Sequence, residues 1–495
     1  MSELLRKGRL SSARKDVVKF TSSALMDKKI LEHIIGINKA HIVMLVEYKI
    51  INKNEGKKIL EALANLDGKI ELSSDMEDGH MAVEEEVIKA TGQDVGGNLN
   101  LAKSRNDQVA TAIRMELRDE IVDSVETVTM LQEALLKQAK KHIETIIPGY
   151  THLQPAQPVT FAHYLVAQCD ALQRSIERIE EGYKRVDLCP MGACALATTS
   201  FQISRERVAN LLGFREVLEN SVDAVTSRDF LLETLANLTI LAVDVTRFVE
   251  DLEIWSTMEF GMIELPDEFT FTSSIMPQKK NPDVLEVVRS RMSLILGNLT
   301  GSTTALMALP STYNMDFQEV TPKLWDSLET VKNCLTMLAN LIPNLKVTKN
   351  VLEKPALTFL MATELANMLV RNYNIPFRGS HTIVGSIVKT LLREGKSFRD
   401  ITPELIMETS KKNLGYSLKV KEQEIRESTE PSLVIESYST RGGPSPKEVK
   451  RMMTLRIKKM AESRIWVSEK KARIVKANEI LNSSIQAILN NIQAI

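Results

Sequence analysis

Residues 98–147 and 214–260 of this 495-residue chain contain neither glycine nor proline. Long runs without either residue have nothing that breaks a backbone hydrogen-bond ladder. In the first run, apolar or small residues recur at Val109, Ile113, Leu117, Ile121, Val125, Val128, Leu131, Leu135, Ala139 and Ile143. Steps of three and four put them on one face of an α-helix. About 40 residues of helix measure about 60 Å, more than an ordinary compact domain requires. The second run is apolar on more than one face from Leu231 to Leu252, which predicts neighbours on most sides. Gly297 and Gly301 sit four apart in a third long stretch and predict close helix packing. The pattern is an elongated all-α bundle that also packs against further copies of itself.

Around the bundle, residues 1–107 read as shorter helices with loops at 67–80 and 91–107. The central unit spans 108–350. Pro343 and Pro355 mark its exit, and 351–495 reads as a C-terminal helical unit with a breaker, RGGPSP, at 441–446. Beyond the breaker lie eleven Lys and Arg residues from Lys447 to Lys476. Val449, Met452, Leu455, Ile465 and Trp466 are read as one buried stripe with those charges opposite, a solvated surface helix and not a nucleic-acid contact.

Composition excludes several classes. With 63 Lys+Arg against 64 Asp+Glu the net charge is -1, which argues against a chain that coats nucleic acid or an anionic membrane. Cys169, Cys189, Cys194 and Cys334 are too few for a disulfide framework, and neither they nor the seven histidines show metal-ligand spacing. No metal and no cofactor is expected. The opening MSELLRKGRLSSARKD has no apolar core of a signal peptide. The charge-free stretch from Met292 to Met315 is interrupted by Asn298, Thr300, Ser302, Thr303, Thr304 and Pro310, so it reads as a buried helix and not a membrane span. A soluble cytoplasmic protein is expected.

Four segments are too polar to be mere connections. GGNLNLAKSRNDQ (96–108) leads into the first long helix, with Ser104, Arg105 and Asn106 at its start. A helix N-terminus offers unpaired N–H groups, and an arginine adds a fork for a carboxylate. In PGYTHLQPAQPVTFAHY (148–164), Pro148, Pro155 and Pro158 are expected to fix a turn presenting Thr151, His152 and Gln154. A histidine held beside a hydroxyl is a candidate for acid–base work. TFTSSIMPQKKNPDVLEVVR (270–289) offers hydroxyls, Lys279 and Asn281 to an anion, with Glu286 opening the next helix. STYNMDFQEVTPK (311–323) adds Tyr313, Asn314 and Gln318.

SRNDQVAT, YTHLQPAQP and SSIMPQKKNPD together resemble the argininosuccinate lyase family, of the superfamily that also holds fumarase, aspartase and adenylosuccinate lyase. The likeness extends to SSALMDKKI, NSVDAVTSRDF, ATELANMLVRNYNIPFRGSHTIVG and STRGGPSPKEV. It implies a homotetramer of subunits with three mostly helical domains and active sites each built from three subunits. The implied reaction is reversible cleavage of argininosuccinate to arginine and fumarate, without metal or organic cofactor. By position, Ser273 matches the catalytic base and Lys279 and Asn281 the carbanion stabilisers. His152 matches the general-acid region, with Thr151 beside it and Glu286 as the carboxylate that orients it. Ser23, Arg105, Asn106, Tyr313 and Gln318 match substrate-binding positions, Ser104 stands with them, and Asp78 and His80 resemble an Asp-x-His pair.

The residue chemistry agrees. Removing a proton from carbon beside a carboxylate builds a dianion-like aci-carboxylate, which fixed cations and N–H donors must stabilise. A serine is a poor base at its free pKa and needs the same positive field. There are departures from the family pattern. Thr272 stands where glycine is usual, Thr321 where a lysine is usual (leaving Lys323 as its substitute), and Asn100-Leu101-Ala102-Lys103 where His-Thr-Gly-Arg is usual. The rival readings are another lyase of the superfamily, such as adenylosuccinate lyase, and a catalytically silent structural relative.

Overall fold

A computed structural model describes residues 9, 11–66 and 70–490. The expected loop at 67–80 therefore lies outside the described residues at 67–69, as does most of the stretch read against a signal peptide. After a short helix at Lys15–Thr21 come α1 (Leu31–Glu47), α2 (Lys53–Ala64) and α3 (Gly79–Thr91). Five long helices form the centre: α4 (Arg105–Lys141), α5 (Phe161–Val186), α6 (Asp229–Ser256), α7 (Asp283–Leu306) and α8 (Asp316–Leu341). Of the ten periodic residues read from the first run, eight are buried and Val109 and Ile143 are half-buried.

Side-chain contacts fix the directions. Arg114, near the start of α4, donates to the carbonyls of Arg185 and Val186 at the end of α5 and stacks 3.9 Å over Phe230 at the start of α6. Arg289 at the start of α7 pairs with Glu250 and Glu253 at the end of α6. Gln138, near the end of α4, donates to the Leu345 carbonyl just past α8. Helices α4, α6 and α8 thus run one way, and α5 and α7 the other. With 37 residues, α4 spans about 55 Å, and that length separates the two ends of the bundle.

Next come α9 (Ala362–Tyr373), α10 (Phe377–Arg393) and α11 (Pro403–Leu414), amphipathic helices as expected. The last helix, α12 (Pro446–Leu489), is 44 residues long and lies along α4 and α5. Its basic residues face acids of those helices: Arg456 pairs with Asp170, Arg464 with Glu133, Lys471 with Glu126 and Arg473 with Asp187. The stripe read for this helix needs correction. Val449 and Met452 are buried, but Leu455 and Ile465 are exposed. The buried line continues through Met453, Met460, Ser463 and Val467, and Leu455 lies one residue off it, where Arg456 takes the inward place.

Strands were not expected, yet the chain forms an antiparallel hairpin of β1 (Ile146–Thr151) and β2 (Gln154–Thr160). Pro148 faces Pro158 across it, and prolines hide the alternation by which a strand is usually recognised. A two-residue pair, β3 (Phe271–Thr272) with β4 (Lys280–Asn281), closes the 270–283 loop. The glycine pair of α7 also behaves differently from expectation. A Cβ built at Gly297 or Gly301 would meet nothing within 4 Å, so among the described residues no second helix approaches there. Leu294 and Leu296 on α7, and Ile240 and Val243 on α6, are likewise exposed.

Asp187 ties the last helix to the bundle. It is 1% exposed and accepts from Arg118 at 3.3 Å and from Arg473. Arg118 is itself buried, stacked 4.0 Å over Phe214. Removing the carboxylate strands a buried cation, at a cost of roughly 3–5 kcal/mol. Asp187→Ala should lower the unfolding free energy measured by urea titration by that amount, whereas Arg464→Ala, at an exposed pair, should change it by less than about 1 kcal/mol.

Candidate active site, divided between the ends of the bundle

At the N-terminal end of α4 lies a cavity of about 290 Å³. Its walls include Ser23, Asp78, Arg105, Asn106, Tyr313 and Gln318, all six foreseen from the sequence. Ser104 is not a wall residue but the N-cap of α4: its hydroxyl accepts from Asn106 N–H at 3.3 Å, and Asp107 accepts from Ser104 N–H at 3.0 Å. Asp107, fully buried, also accepts from the N–H groups of Gly192 and Cys194. Burial lifts its pKa to about 6 against those donors. This aspartate pins the start of α4 to the 190–195 turn, and Asn106 reaches the same turn by donating to the Ala195 carbonyl at 3.0 Å.

Arg105 holds two carboxylates at once, Glu77 at 2.6 Å and Asp78 at 2.7 Å. Asp78 also caps α3 by accepting from Met81 N–H. His80 is buried behind it and is not a wall residue. Its ring nitrogens close no hydrogen bond of ordinary geometry, and burial lowers its pKa to about 4. Gln318 donates to the Tyr313 hydroxyl at 3.0 Å, which orients both. Thr321 lines the cavity and Lys323 does not. Sequence reading missed the wall residues Asp27, Glu77, Arg228 and Trp325. Asp27 and Arg228 sit inside two of the quoted segments, SSALMDKKI and NSVDAVTSRDF, four and more residues from any singled-out side chain.

None of Thr151, His152, Ser273, Lys279, Asn281 and Glu286 reaches this cavity. They lie at the far end of the bundle, beyond the C-terminal ends of α4 and α6. The β1–β2 hairpin follows α4, and its tip is His152–Leu153, with φ of 55° and 57°. Positive φ at both central residues is the type I′ geometry of a two-residue hairpin. The turn is thus set by these two dihedrals, with the prolines lying in the strands and not at the corner. Thr151, His152 and Leu153 are all exposed.

In the 270–283 loop, Ser273 Oγ accepts from the N–H groups of Ile275 at 3.3 Å and Met276 at 3.1 Å. Two N–H donors on one hydroxyl oxygen favour its anionic form. Thr272, in the place of the usual glycine, donates from its hydroxyl to the Lys279 carbonyl at 3.1 Å and closes the loop. Lys280 is held by Asp267 and Glu264, whereas Lys279 has no carboxylate partner among the described residues. Glu286 stands exposed in the first turn of α7, and no hydrogen bond joins it to His152 within the chain. Among the described residues no group of three or more His, Cys, Asp or Glu side chains could hold a metal ion, and no helix is long and apolar enough to cross a membrane.

Known proteins share this architecture. The lyase family pattern matches residues 8–297, and that of the argininosuccinate lyase C-terminal region matches 359–436. The argininosuccinate lyase of Methanocaldococcus jannaschii is 42% identical over 486 residues, covering 97% of this chain and 99% of that protein. That of Methanosarcina barkeri is 42% identical over 92% of this chain and 93% of its own. Among solved structures, EDDS lyase in complex with formate superposes with a TM-score of 0.87 at 29% identity, over 94% of this chain and 93% of that one. The long-helix bundle and the lyase family match define a lyase of the fumarase/aspartase superfamily. Within it, the chain belongs to the argininosuccinate lyase family.

The Lys103 departure has a measurable consequence. Its ammonium is buried under the start of α4 and donates to Asn38 Oδ1. Burial lowers its pKa to about 7, against help from Asp107 and Glu84. The unfolded chain, with a lysine near 10.4, therefore binds more protons than the folded one between these values. Stability rises with pH across that interval and carries the full burial penalty below it. From pH 7 to 8.5 the denaturation free energy should gain about 1.5 kcal/mol from this group. Lys103→Met should flatten that rise, and an unchanged slope in the variant would assign it elsewhere.

Proposed function

We propose that this chain catalyses the reversible elimination of L-arginine from argininosuccinate, leaving fumarate, as a cytoplasmic homotetramer whose sites each draw on three subunits. The observation that carries this reading is the division of the site. A cavity with residues suited to hold a substrate lies about 55 Å along α4 from the exposed hairpin tip and loop that hold the candidate acid and base. One chain cannot bring them together. Copies packed antiparallel through α6 and α7, where Ile240, Val243, Leu294 and Leu296 are uncovered and Gly297 and Gly301 leave open space, bring the far end of one bundle to the near end of another.

In such a site the Ser273 side chain, held by two N–H donors and ionised by loss of its own proton to solvent, is the oxyanion that removes the proton from the succinyl carbon next to a carboxylate. Lys279 and Asn281 stabilise the aci-carboxylate that forms. The carbon–nitrogen bond then breaks, its electron pair leaves with the guanidino nitrogen, and His152 or Thr151 supplies the proton that nitrogen takes up. Glu286 orients the histidine from a neighbouring copy. The guanidino group is already protonated at neutral pH, so it leaves as a neutral guanidine and needs only modest acid assistance.

Fumarate absorbance on addition of argininosuccinate tests the reaction, with adenylosuccinate as the control substrate. Turnover of the control alone moves the chain to another lyase branch, and turnover of neither makes it a silent relative. Ser273→Ala should lower kcat at least ~100-fold with KM little changed. Mixing Asn106→Ala with Ser273→Ala and reassembling them should restore roughly a quarter of native sites if the two residues come from different chains. Hybrids that form and stay inactive would place both residues in one chain.

A further inference from the structure

The charges of the cavity do not pair off. Glu77 and Asp78 are both committed to Arg105. Asp27 has no cation within ion-pair distance, and Arg228 has no carboxylate partner, among the described residues. Asp27 Oδ2 accepts from Ser23 Oγ–H at 3.0 Å and from Gly79 N–H at 2.9 Å, which fixes the carboxylate with Oδ1 left uncommitted. Gly79 leaves the space this needs: a Cβ there would come 3.1 Å from Asp27 Cβ and 3.1 Å from Ile34 Cδ1. Burial and the nearby Asp78 hold Asp27 up at about 6, against those two donors. Such a carboxylate gains by meeting a cation.

Arg228 is 4% exposed and lies 4.4 Å over the Phe317 ring. It donates from one nitrogen to the Ser227 carbonyl at 2.8 Å, while Nε and its other terminal nitrogen have no partner. Its field makes the same cavity favourable to an anion. The same cavity wall also carries apolar side chains, Met26, Ile30, Ile113 and Trp325. One open carboxylate, one uncompensated guanidinium and these apolar side chains match an α-amino acid head group carried on a methylene chain.

We propose that Asp27 selects the α-ammonium group at the arginine end of the substrate, with Arg228 supplying the positive field for its α-carboxylate. This rests on the lyase reading above and extends it to substrate choice. The guanidino end, where the bond breaks, then points out of the cavity toward the hairpin and loop contributed by other copies.

The reverse reaction tests it, with fumarate and either L-arginine or 5-guanidinopentanoate, which lacks only the ammonium. The native enzyme should prefer arginine in kcat/KM by at least ~10-fold, the lower range for a hydrogen bond to a charged group. Asp27→Asn keeps the acceptor for Ser23 and Gly79. It should raise KM for arginine ~10-fold or more, change kcat less, and bring the two substrates to similar kcat/KM. If Asp27→Asn keeps the native preference for arginine, or if the native enzyme uses both substrates equally, Asp27 does not read the ammonium. Either result would leave the lyase activity itself intact, whereas no reaction with arginine in the native enzyme would sink the underlying reading instead.

Discussion

The start of α4 is where the structure is most tightly constrained. Asp107 accepts three N–H groups from two segments that are far apart in sequence, and Arg105 two residues earlier gathers Glu77 and Asp78. The first turn of a helix leaves N–H groups unpaired, and here Ser104 Oγ accepts one of them, from Asn106. Once this turn is fixed, everything along α4 follows by rise per residue. The cavity stays at one end, and the hairpin is delivered about 55 Å away.

Rigidity is distributed accordingly. Buried arginines do much of the holding: Arg114, Arg118 and Arg228 each stack on a phenylalanine and give at least one N–H to a backbone carbonyl. Guanidinium groups are weakly hydrated and planar, which makes them the cation a core tolerates at least cost. The hairpin tip and the Ser273 loop have no such anchoring and remain on the surface of the chain.

The long helices were legible from sequence because periodicity over 37 residues leaves no competing pattern. The cavity residues that were found lay beside helix starts and polar loops, where their type is informative. Asp27 and Arg228 were not found, since an isolated charge next to a helix reads as a surface residue until its burial is known. The hairpin was hidden by its prolines, and the open face at Gly297 and Gly301 by a spacing that signals close packing without saying whose helix provides it. On the last helix the stripe slipped by one residue because Arg456 buries its stem and sends its head to Asp170, so a charged residue occupied an inward position.

The turn at His152–Leu153 restricts which amino acids can follow the histidine. A left-handed backbone costs an ordinary L-residue about 1 kcal/mol or more, less for asparagine and nothing for glycine. Leu153 is 67% exposed and so gains little from burial to offset that cost. Polarity at this position is therefore nearly free to drift, while branching at Cβ is not. Valine, isoleucine and threonine, which any scale of hydrophobic similarity would call mild replacements for leucine, are the ones the dihedral angle excludes.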